Sequence, residues 1–355
     1  MTLKVDELIQ LPPYSLGSVE KKKVFEEGLP NMVRHHYENC IEYRILLDLL
    51  EWRPFIKSDW ESIPPLPVRV FKEKSLVSVD KRNIVKTLTS SGTSGGGISR
   101  IHLDVVNTRR QTSALARIAG EYIGTKRLPM LVIDQPIPFN KVEQLSARSA
   151  GVIGFSLFAK ETVFALDHNM EINWPILYEF CERNKNKKVL VFGFTFIVWK
   201  KFIEKILSEG KELILEDGVL IHGGGWKKMM EDRVSNTTFK ANVASATGIL
   251  KVHNYYGMVE QTGSIFFECE KGYFHVPNVS DISVVNQKLN ACQFGESGVI
   301  KLCSMLPTSY PGHIILTDDT GTIVGEDSCQ CGRLGKYFVV EGRLPKVEVR
   351  GCSDA

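Results

Sequence analysis

The sequence lacks several features that mark whole classes of protein. It has no apolar run approaching the roughly 18 residues that a membrane-spanning helix needs, so no such helix is expected. Its first residues include Lys4, Asp6 and Glu7 and no apolar stretch, which is unlike a signal peptide. The net charge of +3 is too small to indicate a nucleic-acid partner. The sequence also contains no internal repeat.

Cysteines are few, eight in 355 residues. In a chain without an export signal they predict reduced thiols, metal ligands or a nucleophile rather than disulfides, and hence a cytoplasmic protein. The remaining composition is 43% hydrophobic and 24% charged, which is ordinary for one large or two smaller globular domains.

Periodicity and composition divide the chain into four stretches. Residues 1–65 are predicted to form a helical N-terminal segment, and residues 66–262 alternate strands with helices in an α/β core, for which the resemblance given below implies nucleotide binding. Residues 263–342 carry the short strands and turns of a β-rich subdomain, and 343–355 are a short C-terminal tail, for which the same resemblance implies a hinge. This order predicts an α/β fold with mostly parallel sheets flanked by helices, followed by an antiparallel β subdomain.

Individual elements are predicted from shorter patterns. Apolar runs predict strands at Val68–Phe71, Met130–Ile133 and Leu213–Leu215. Spaced apolar positions predict helices at Trp174–Arg183 and Phe196–Ser208. Ligands of such folds collect at the carboxyl ends of parallel strands, so the loops that follow the strands are the places to look for function.

The most informative loop is Thr89–Gly97, which holds four glycines and five hydroxyl side chains. Glycines let successive backbone N–H groups converge on an anion, and the hydroxyls add donors, so a phosphate is the expected ligand. Ile98 stands where a P-loop needs lysine, and Arg100 where a dinucleotide fingerprint needs glycine, which excludes both motifs. A flexible linker is the alternative.

Four later motifs are weak individually. Gly223–Gly225 follows a buried strand; Tyr255 and Tyr256 precede Glu260, a residue type that binds Mg²⁺. Thr317-Asp318-Asp319 and Gly342-Arg343 come later in the chain. Each has an equally good structural explanation. The glycines could form a tight turn, the tyrosines could be core residues, the glutamate could lie on the surface, and the aspartates could cap a turn.

The order of these motifs resembles that of the adenylate-forming superfamily of acyl and aryl ligases. Three segments, Ser99-Arg100-Ile101, Tyr310-Pro311-Gly312-His313 and Cys329-Gln330-Cys331-Gly332-Arg333, are similar to its acyl-protein synthetase (LuxE) branch and to phenylacetate–CoA ligase-like relatives. The resemblance covers roughly residues 60–355.

The resemblance implies binding sites for ATP and Mg²⁺. Glu260 would bind Mg²⁺, Arg343 would reach ribose or phosphate, and Asp319 would hold the ribose. The adenine would lie beside Gly223, Gly224 and Gly225 and stack on Tyr255 or Tyr256. The phosphate contacts would come from Ser91, Gly92, Thr93, Ser94, Gly95 and Arg100. The small C-terminal domain with its adenylation lysine is expected to be largely missing, since only positions 344–355 follow Arg343.

Two further sites involve cysteine. Cys269, His275, Cys329 and Cys331 are ligand types that suit tetrahedral structural zinc, with four unrelated residues as the alternative. Cys352 stands near the end of the chain, where the resemblance implies a thiol that accepts the acyl group; an inert cysteine is the alternative.

The sequence leaves three functions open. The first is ATP-dependent activation of a carboxylic acid, expected to be a fatty acid, to acyl-AMP, followed by transfer to a protein cysteine and so to an acyl-accepting or acyl-reducing partner protein. The second is a ligase using coenzyme A or another small acceptor, and the third is a non-catalytic nucleotide-binding module. The aromatic residues that are candidates for an apolar acyl pocket, or for plain core, are Phe155, Phe158, Phe192, Phe194, Phe196 and Trp199.

Overall fold

The computed structural model describes residues 4–53, 59–90, 98–137, 147–226 and 233–344. The helices are α1 Val5–Gln10, α2 Ser18–Asn39, α3 Ile41–Leu49, α4 Val70–Glu73, α5 Val105–Ile123, α6 Ala147–Phe155, α7 Trp174–Arg183, α8 Thr195–Ile197, α9 Glu204–Ser208 and α10 Asn236–Thr247. A π-helical turn, Val198–Ile203, joins α8 to α9. No helix of the described ranges is long and apolar enough to cross a bilayer.

A six-stranded sheet forms the centre of the α/β part. Its strands, given in spatial order, are β5 Ala159–Phe164, β4 Leu128–Ile133, β6 Leu190–Phe194, β7 Val219–Gly223, β8 Lys251–Gly257 and β9 Ile265–Phe267. All neighbours pair in parallel except β8 and β9. Separate apolar clusters include residues from the two faces of this sheet, which explains why its inner strands are almost wholly buried.

An antiparallel sheet follows in the last third of the chain. Its strands are β10 Phe274–His275, β14 Lys336–Arg343, β13 Ile314–Glu326, β12 Ser297–Ser304 and β11 Ser280–Val285, with β1 Leu66–Pro67 parallel to β13. The predicted fold class, a largely parallel sheet with helices plus an antiparallel β subdomain, is therefore confirmed. A separate ribbon, β2 Ile84–Thr89 and β3 Arg100–Asp104, carries the glycine loop at its tip.

Local signals explain several element ends. The Asp104 carboxylate caps α5 by accepting from the Asn107 N–H at 2.7 Å, and the Ser235 hydroxyl caps α10 in the same way. Gly248 ends α10 in the left-handed conformation at φ 74°. The helix predicted at Trp174–Arg183 is observed with those bounds.

Two predicted strands are wrong. Val68–Phe71 is not a strand, because the extended chain ends at Pro67 and α4 begins at Val70. Val68 N–H still donates to the Leu316 carbonyl of β13, but Phe71 N–H and Lys72 N–H donate back to the Val68 and Arg69 carbonyls, which turns the chain into α4. Leu213 and Leu215 are buried, whereas Ile214 is 59% exposed, and the segment is irregular. The N–H groups of Leu213 and Leu215 donate to carbonyls at the end of α10 and not to a neighbouring strand. An apolar run alone does not select a strand.

The N-terminal helices pack against the antiparallel sheet and its loops. One face of α2 is buried, including Phe25, Leu29 and Val33, and the same face carries Lys21 and His36 into the interior. Lys21 contacts Asp281 of β11 at 3.9 Å, and His36 contacts the segment that precedes β13. These helices are therefore attached to the antiparallel sheet and to the segment that leads into β13.

Candidate active site

The carboxyl ends of β7 and β8 lie side by side, with Gly223 paired to Tyr255. A Cβ atom on Gly223 would lie 2.6 Å from the Tyr255 ring, so only glycine fits there. The chain then turns through Gly224 and Gly225 with φ of 81° and 59°, a conformation that favours glycine. These glycines therefore allow the backbone after β7 to lie directly against the Tyr255 ring and then to turn at the end of the sheet.

The two predicted tyrosines point to different places. The Tyr255 ring packs against Gly223 and among aromatic rings, with centroids 5.4 Å from Phe155 and 6.3 Å from Phe192. The Tyr256 hydroxyl instead donates to Asp319 Oδ2 at 2.8 Å, which joins β8 to β13. Tyr256 is therefore the tyrosine that lies with the other predicted ribose and phosphate residues.

The Asp319 carboxylate accepts hydrogen bonds from two of the predicted site residues, Arg343 and Tyr256. Its Oδ1 accepts from Arg343 Nε at 3.0 Å, and its Oδ2 accepts from Tyr256. Asp319 and Arg343 are cross-strand partners in β13 and β14, which fixes the approach of their side chains. Burial raises the pKa of Tyr256, and the neighbouring Asp319 carboxylate raises it further. The motifs Tyr-Gly, Thr-x-Asp and Gly-Arg thus meet in one place.

Glu260 lies in the short 3₁₀ turn after β8 and is buried, 7% exposed. Its Oε1 accepts a hydrogen bond from the Ser99 hydroxyl at 2.6 Å. Burial raises the pKa of Glu260, while the hydrogen bond from Ser99 and the charges of Lys72 and Arg343 oppose that rise. A bound cation would stabilise the ionised form of this carboxyl, so its surroundings suit a metal ligand.

Ser99 belongs to the base of the glycine loop. Ser90 N–H donates to the Ser99 carbonyl at 3.1 Å, and Ser99 N–H donates to Ser90 Oγ at 3.0 Å. These bonds close the tip of the β2–β3 ribbon directly beside Glu260. The predicted loop residues Ser91, Gly92, Thr93, Ser94 and Gly95 lie outside the described residues, as does Cys352.

Arg100 occupies the next position on β3 and is exposed, whereas Ser99 and Ile101 on either side of it are buried. Successive side chains of a strand point to opposite faces, so Arg100 points away from the face that meets Glu260. None of the contacts among the described residues brings it to Glu260 or Asp319.

Two cations near this site had no signal in the sequence. Arg69 lies 3.4 Å from Asp318, the neighbour of Asp319, and Lys72 lies one helical turn further along, near enough to Glu260 to affect its pKa. Lys72 is half-buried and forms no ion pair with any residue that the structure describes. The pairing of β1 with β13 places this turn, so no local motif would have identified it.

Four candidate metal ligands meet in the β subdomain. The ligand atoms of Cys269, His275, Cys329 and Cys331 all lie within 4.8 Å of one another. Cys269 and Cys329 have sulfurs 4.0 Å apart, and Cys331 Sγ lies 3.2 Å from His275 Nε2. Zinc–sulfur bonds of about 2.3 Å in a tetrahedron place two sulfurs about 3.8 Å apart, so the group is compact enough for zinc.

Four of the six aromatic candidates for an acyl pocket belong to two separate apolar clusters, Phe194 packs against both, and Phe196 is part of neither. Phe155, Phe158 and Phe192 lie in the larger one, and Phe155 and Phe192 are stacked with centroids 4.6 Å apart. Trp199 lies in the other cluster, packed on Phe239. The first group is the one that reaches Tyr255 and the edge of the sheet.

The chain is similar in sequence to known proteins. A model of the family described as acyl-protein synthetase, LuxE, matches residues 2–355. A long-chain-fatty-acid–luciferin-component ligase of Vibrio harveyi is 22% identical over 99% of this chain and 92% of its own length. A ligase of the same name from Photorhabdus luminescens is 31% identical over 26% of this chain and 79% of its own.

Solved structures show the same fold. A 2-hydroxyisobutyryl-CoA ligase, solved with its acyl-adenylate and CoA in the thioesterification state, superposes with a TM-score of 0.72. The superposition covers 94% of this chain and 70% of that ligase at 16% identity. An open conformation of the same ligase gives a TM-score of 0.71 over 92% of this chain and 71% of its own.

Proposed function

The chain belongs to the acyl-protein synthetase (LuxE) family, and we propose that it activates a long-chain fatty acid with ATP, releases pyrophosphate, and passes the acyl group from acyl-AMP to a protein cysteine. The two luciferin-component ligases that it resembles are named for a long-chain fatty acid. The three motifs that meet at Asp319, and the loop that meets Glu260, support this function over a non-catalytic module.

The observation that carries the proposal is the hydrogen bond from Ser99 to Glu260. It joins the base of the glycine loop to the acidic residue expected to bind Mg²⁺, although the two lie far apart in the sequence. A nucleotide whose phosphates lie in the loop would then reach Glu260 with its metal ion, and Asp319 and Tyr256 with its sugar. A flexible linker would not need this closed base.

In the first step an oxygen of the substrate carboxylate attacks the α-phosphorus of ATP. A bond forms between that oxygen and phosphorus, and the bond to pyrophosphate breaks with its electron pair on the leaving oxygen. Mg²⁺ held by Glu260 would neutralise phosphate charge. The protein would contribute position and positive charge rather than a nucleophile, and we assign the positive charge to Lys72 and Arg343.

In the second step a thiolate attacks the carbonyl carbon of acyl-AMP, a thioester forms, and AMP leaves with the electron pair. We assign this thiol to Cys352, which follows Arg350 by two positions in the sequence; a neighbouring arginine would favour the thiolate form. A partner protein that accepts or reduces the acyl group would complete the sequence. The seven cysteines within the described ranges are all free, which suits a reducing compartment such as the cytoplasm.

We also propose that Cys269, His275, Cys329 and Cys331 bind a structural zinc ion. The ion would tie the turn before β10 to the loop between β13 and β14. These two segments are otherwise joined at this end by the short β10–β14 pairing and by the ion pair of Arg333 with Glu270. Zinc in this position would stabilise the β subdomain and take no part in the reaction.

The experiment is carboxylate-dependent exchange of labelled pyrophosphate into ATP, run with a panel of fatty acids of different length. Exchange that requires a fatty acid supports adenylation, and its absence with every acid tested would refute it. A labelled fatty acid then tests the acceptor: hydroxylamine-sensitive label on the wild-type chain, lost in Cys352→Ala and retained in Cys181→Ala, supports acyl transfer to Cys352. Free acyl-CoA formed on adding coenzyme A would favour the CoA ligase instead.

A further inference from the structure

The segment Tyr310–His313 has no role in the function proposed above, yet the side chains of its first and last residues are fully buried. Tyr310 and His313 are both 0% exposed. The segment lies between the Glu260 turn on one side and helices α2 and α3 on the other. Its contacts to each side are direct and specific.

On one side the segment supports the Glu260 turn. A Cβ atom on Gly312 would lie 2.6 Å from the Glu260 carbonyl oxygen, so the two backbones are in close contact. Gln261, the residue after Glu260, is 1% exposed. Its Nε2 donates to the Gly312 carbonyl at 2.9 Å and to the Leu302 carbonyl at 3.3 Å. Any shift of Gly312 must therefore move the backbone that carries Glu260.

On the other side the segment is held by the N-terminal helices. His313 Nε2 and the Tyr43 hydroxyl of α3 form a hydrogen bond of 3.1 Å. The His36 ring of α2 stacks on His313 with centroids 4.6 Å apart and planes 19° apart. Tyr43 and His36 are 1% and 0% exposed, so neither contact is open to solvent.

His36 is itself fixed at both ring nitrogens. Nε2 lies 3.1 Å from the Pro307 carbonyl, an acceptor only, so Nε2 carries the proton. Nδ1, 2.8 Å from Ser78 Oγ, then accepts from that hydroxyl. Ser78 N–H in turn donates to the Ser309 carbonyl at 2.8 Å. The ring is thus a neutral imidazole whose orientation is determined by three separate segments of the chain.

We infer that Tyr43, His36 and His313 are positioning residues that fix the position and orientation of the Glu260 turn for its metal ion. The inference rests on the proposed role of Glu260 and assigns a function to the N-terminal helices. A buried support of this kind is needed because a short turn after a strand has few bonds of its own, and a metal ligand must be held within a fraction of an ångström.

The test is the dependence of ATP binding on Mg²⁺, measured by calorimetry on the full chain without any carboxylic acid. Tyr43→Phe removes one hydroxyl and keeps the ring. Loss of one neutral hydrogen bond predicts a rise of about two- to fivefold in the half-saturating Mg²⁺ concentration. ATP binding in the presence of EDTA should be unchanged. Gly312→Ala, which crowds Glu260 directly, should have the larger effect.

Tyr14→Phe is the matched control, since it removes the hydroxyl of another buried tyrosine, one bonded to Tyr122 at 3.4 Å and remote from Glu260 in contacts. An unchanged Mg²⁺ dependence in Tyr43→Phe, or an equal shift in Tyr14→Phe, would overturn the inference. So would ATP binding by the wild type that does not depend on Mg²⁺. Failure of the ligase proposal is distinguishable, because it leaves Mg²⁺-dependent ATP binding intact without pyrophosphate exchange.

Discussion

The Ser99 hydroxyl donates a 2.6 Å hydrogen bond to Glu260 Oε1 across a separation of 161 residues in the sequence. Ser99 is 0% exposed and Glu260 7%, so the bond is formed away from water. It couples the position of the glycine loop to that of the carboxylate. Under the proposed function, phosphate and metal would therefore meet at a point that two distant segments define together.

Glu260→Gln should abolish most of the pyrophosphate exchange. The amide keeps the size of the side chain but loses the charge that would hold Mg²⁺ in the proposed mechanism, so the rate should fall by at least about 100-fold. Glu296→Gln, on an exposed turn, is the control and should exchange normally. A Glu260→Gln enzyme with wild-type exchange at low Mg²⁺ would remove Glu260 from the site.

Ser99→Ala should weaken Mg²⁺ binding and shift its pH dependence. The hydrogen bond from Ser99 lowers the pKa of Glu260, which burial raises, so its loss moves the pKa further up. Protons then compete with Mg²⁺ at a higher pH. As the pH is lowered, the rate of exchange should therefore begin to fall at a higher pH than in the wild type. Loss of a hydrogen bond to a charged group predicts about a 10- to 100-fold higher Mg²⁺ requirement. Coincident pH profiles would contradict this account.

Tyr256→Phe should raise the KM for ATP about tenfold with a smaller effect on kcat, because the Asp319 carboxylate loses the hydroxyl that orients it. The fatty-acid KM should stay unchanged. Tyr178→Phe, at a side chain that is 44% exposed on α7, provides the comparison. If the KM for the acid rises instead, Tyr256 belongs to the acyl pocket.

Lys72→Met should slow adenylation by about 100-fold, since it removes a cation that forms no ion pair with any described residue and that would lie beside the reacting phosphates. Lys74→Met, two residues on and exposed, should have little effect. Steady-state exchange rates for the two variants decide the matter. Equal rates would show that Lys72 lies near Glu260 without contributing to the reaction.

Two buried histidines should make the protein sensitive to acid. Burial lowers the pKa of His313 and of His222 to about 3, and both are neutral in the folded chain. The unfolded chain, with histidine pKa near 6.5, binds more protons between these values, so stability is lost as pH falls from about 6.5 towards 3. Each histidine contributes a slope of about 1.4 kcal/mol per pH unit in that window.

Urea unfolding at a series of pH values measures this slope. Replacing His222, which contacts Thr195 and Phe239 away from the Glu260 turn, should reduce the slope by one proton. His168→Gln, in an exposed turn, should leave it unchanged. A stability that is flat between pH 6.5 and 4 in the wild type would be inconsistent with neutral buried rings.

The zinc proposal predicts close to one zinc ion per chain, measured by elemental analysis after dialysis. Cys329→Ser should lower both zinc content and the melting temperature, and chelation of the wild type should lower the melting temperature in the same way. Cys181→Ser, whose thiol lies on α7, should do neither. A wild-type chain that binds no zinc when reconstituted would leave the four residues without this role.

The sequence by itself determined the fold class, the order of the motifs and several elements, among them α7 with its bounds. These follow from local physics: apolar spacing selects helix or strand, and a close backbone approach such as Gly223 on Tyr255 admits only glycine. Local patterns failed at Val68–Phe71, where the conformation depends on the position of the segment beside the distant strand β13.

The tertiary structure alone decided which of two adjacent tyrosines meets Asp319, and that Lys72 lies near Glu260. It also decided that His313 connects the N-terminal helices to the Glu260 turn. Each of these is a contact between segments remote in sequence, set by strand register and packing rather than by the residues on either side. Sequence patterns encode backbone preference over a few residues, and such contacts become visible only when the segments are packed together.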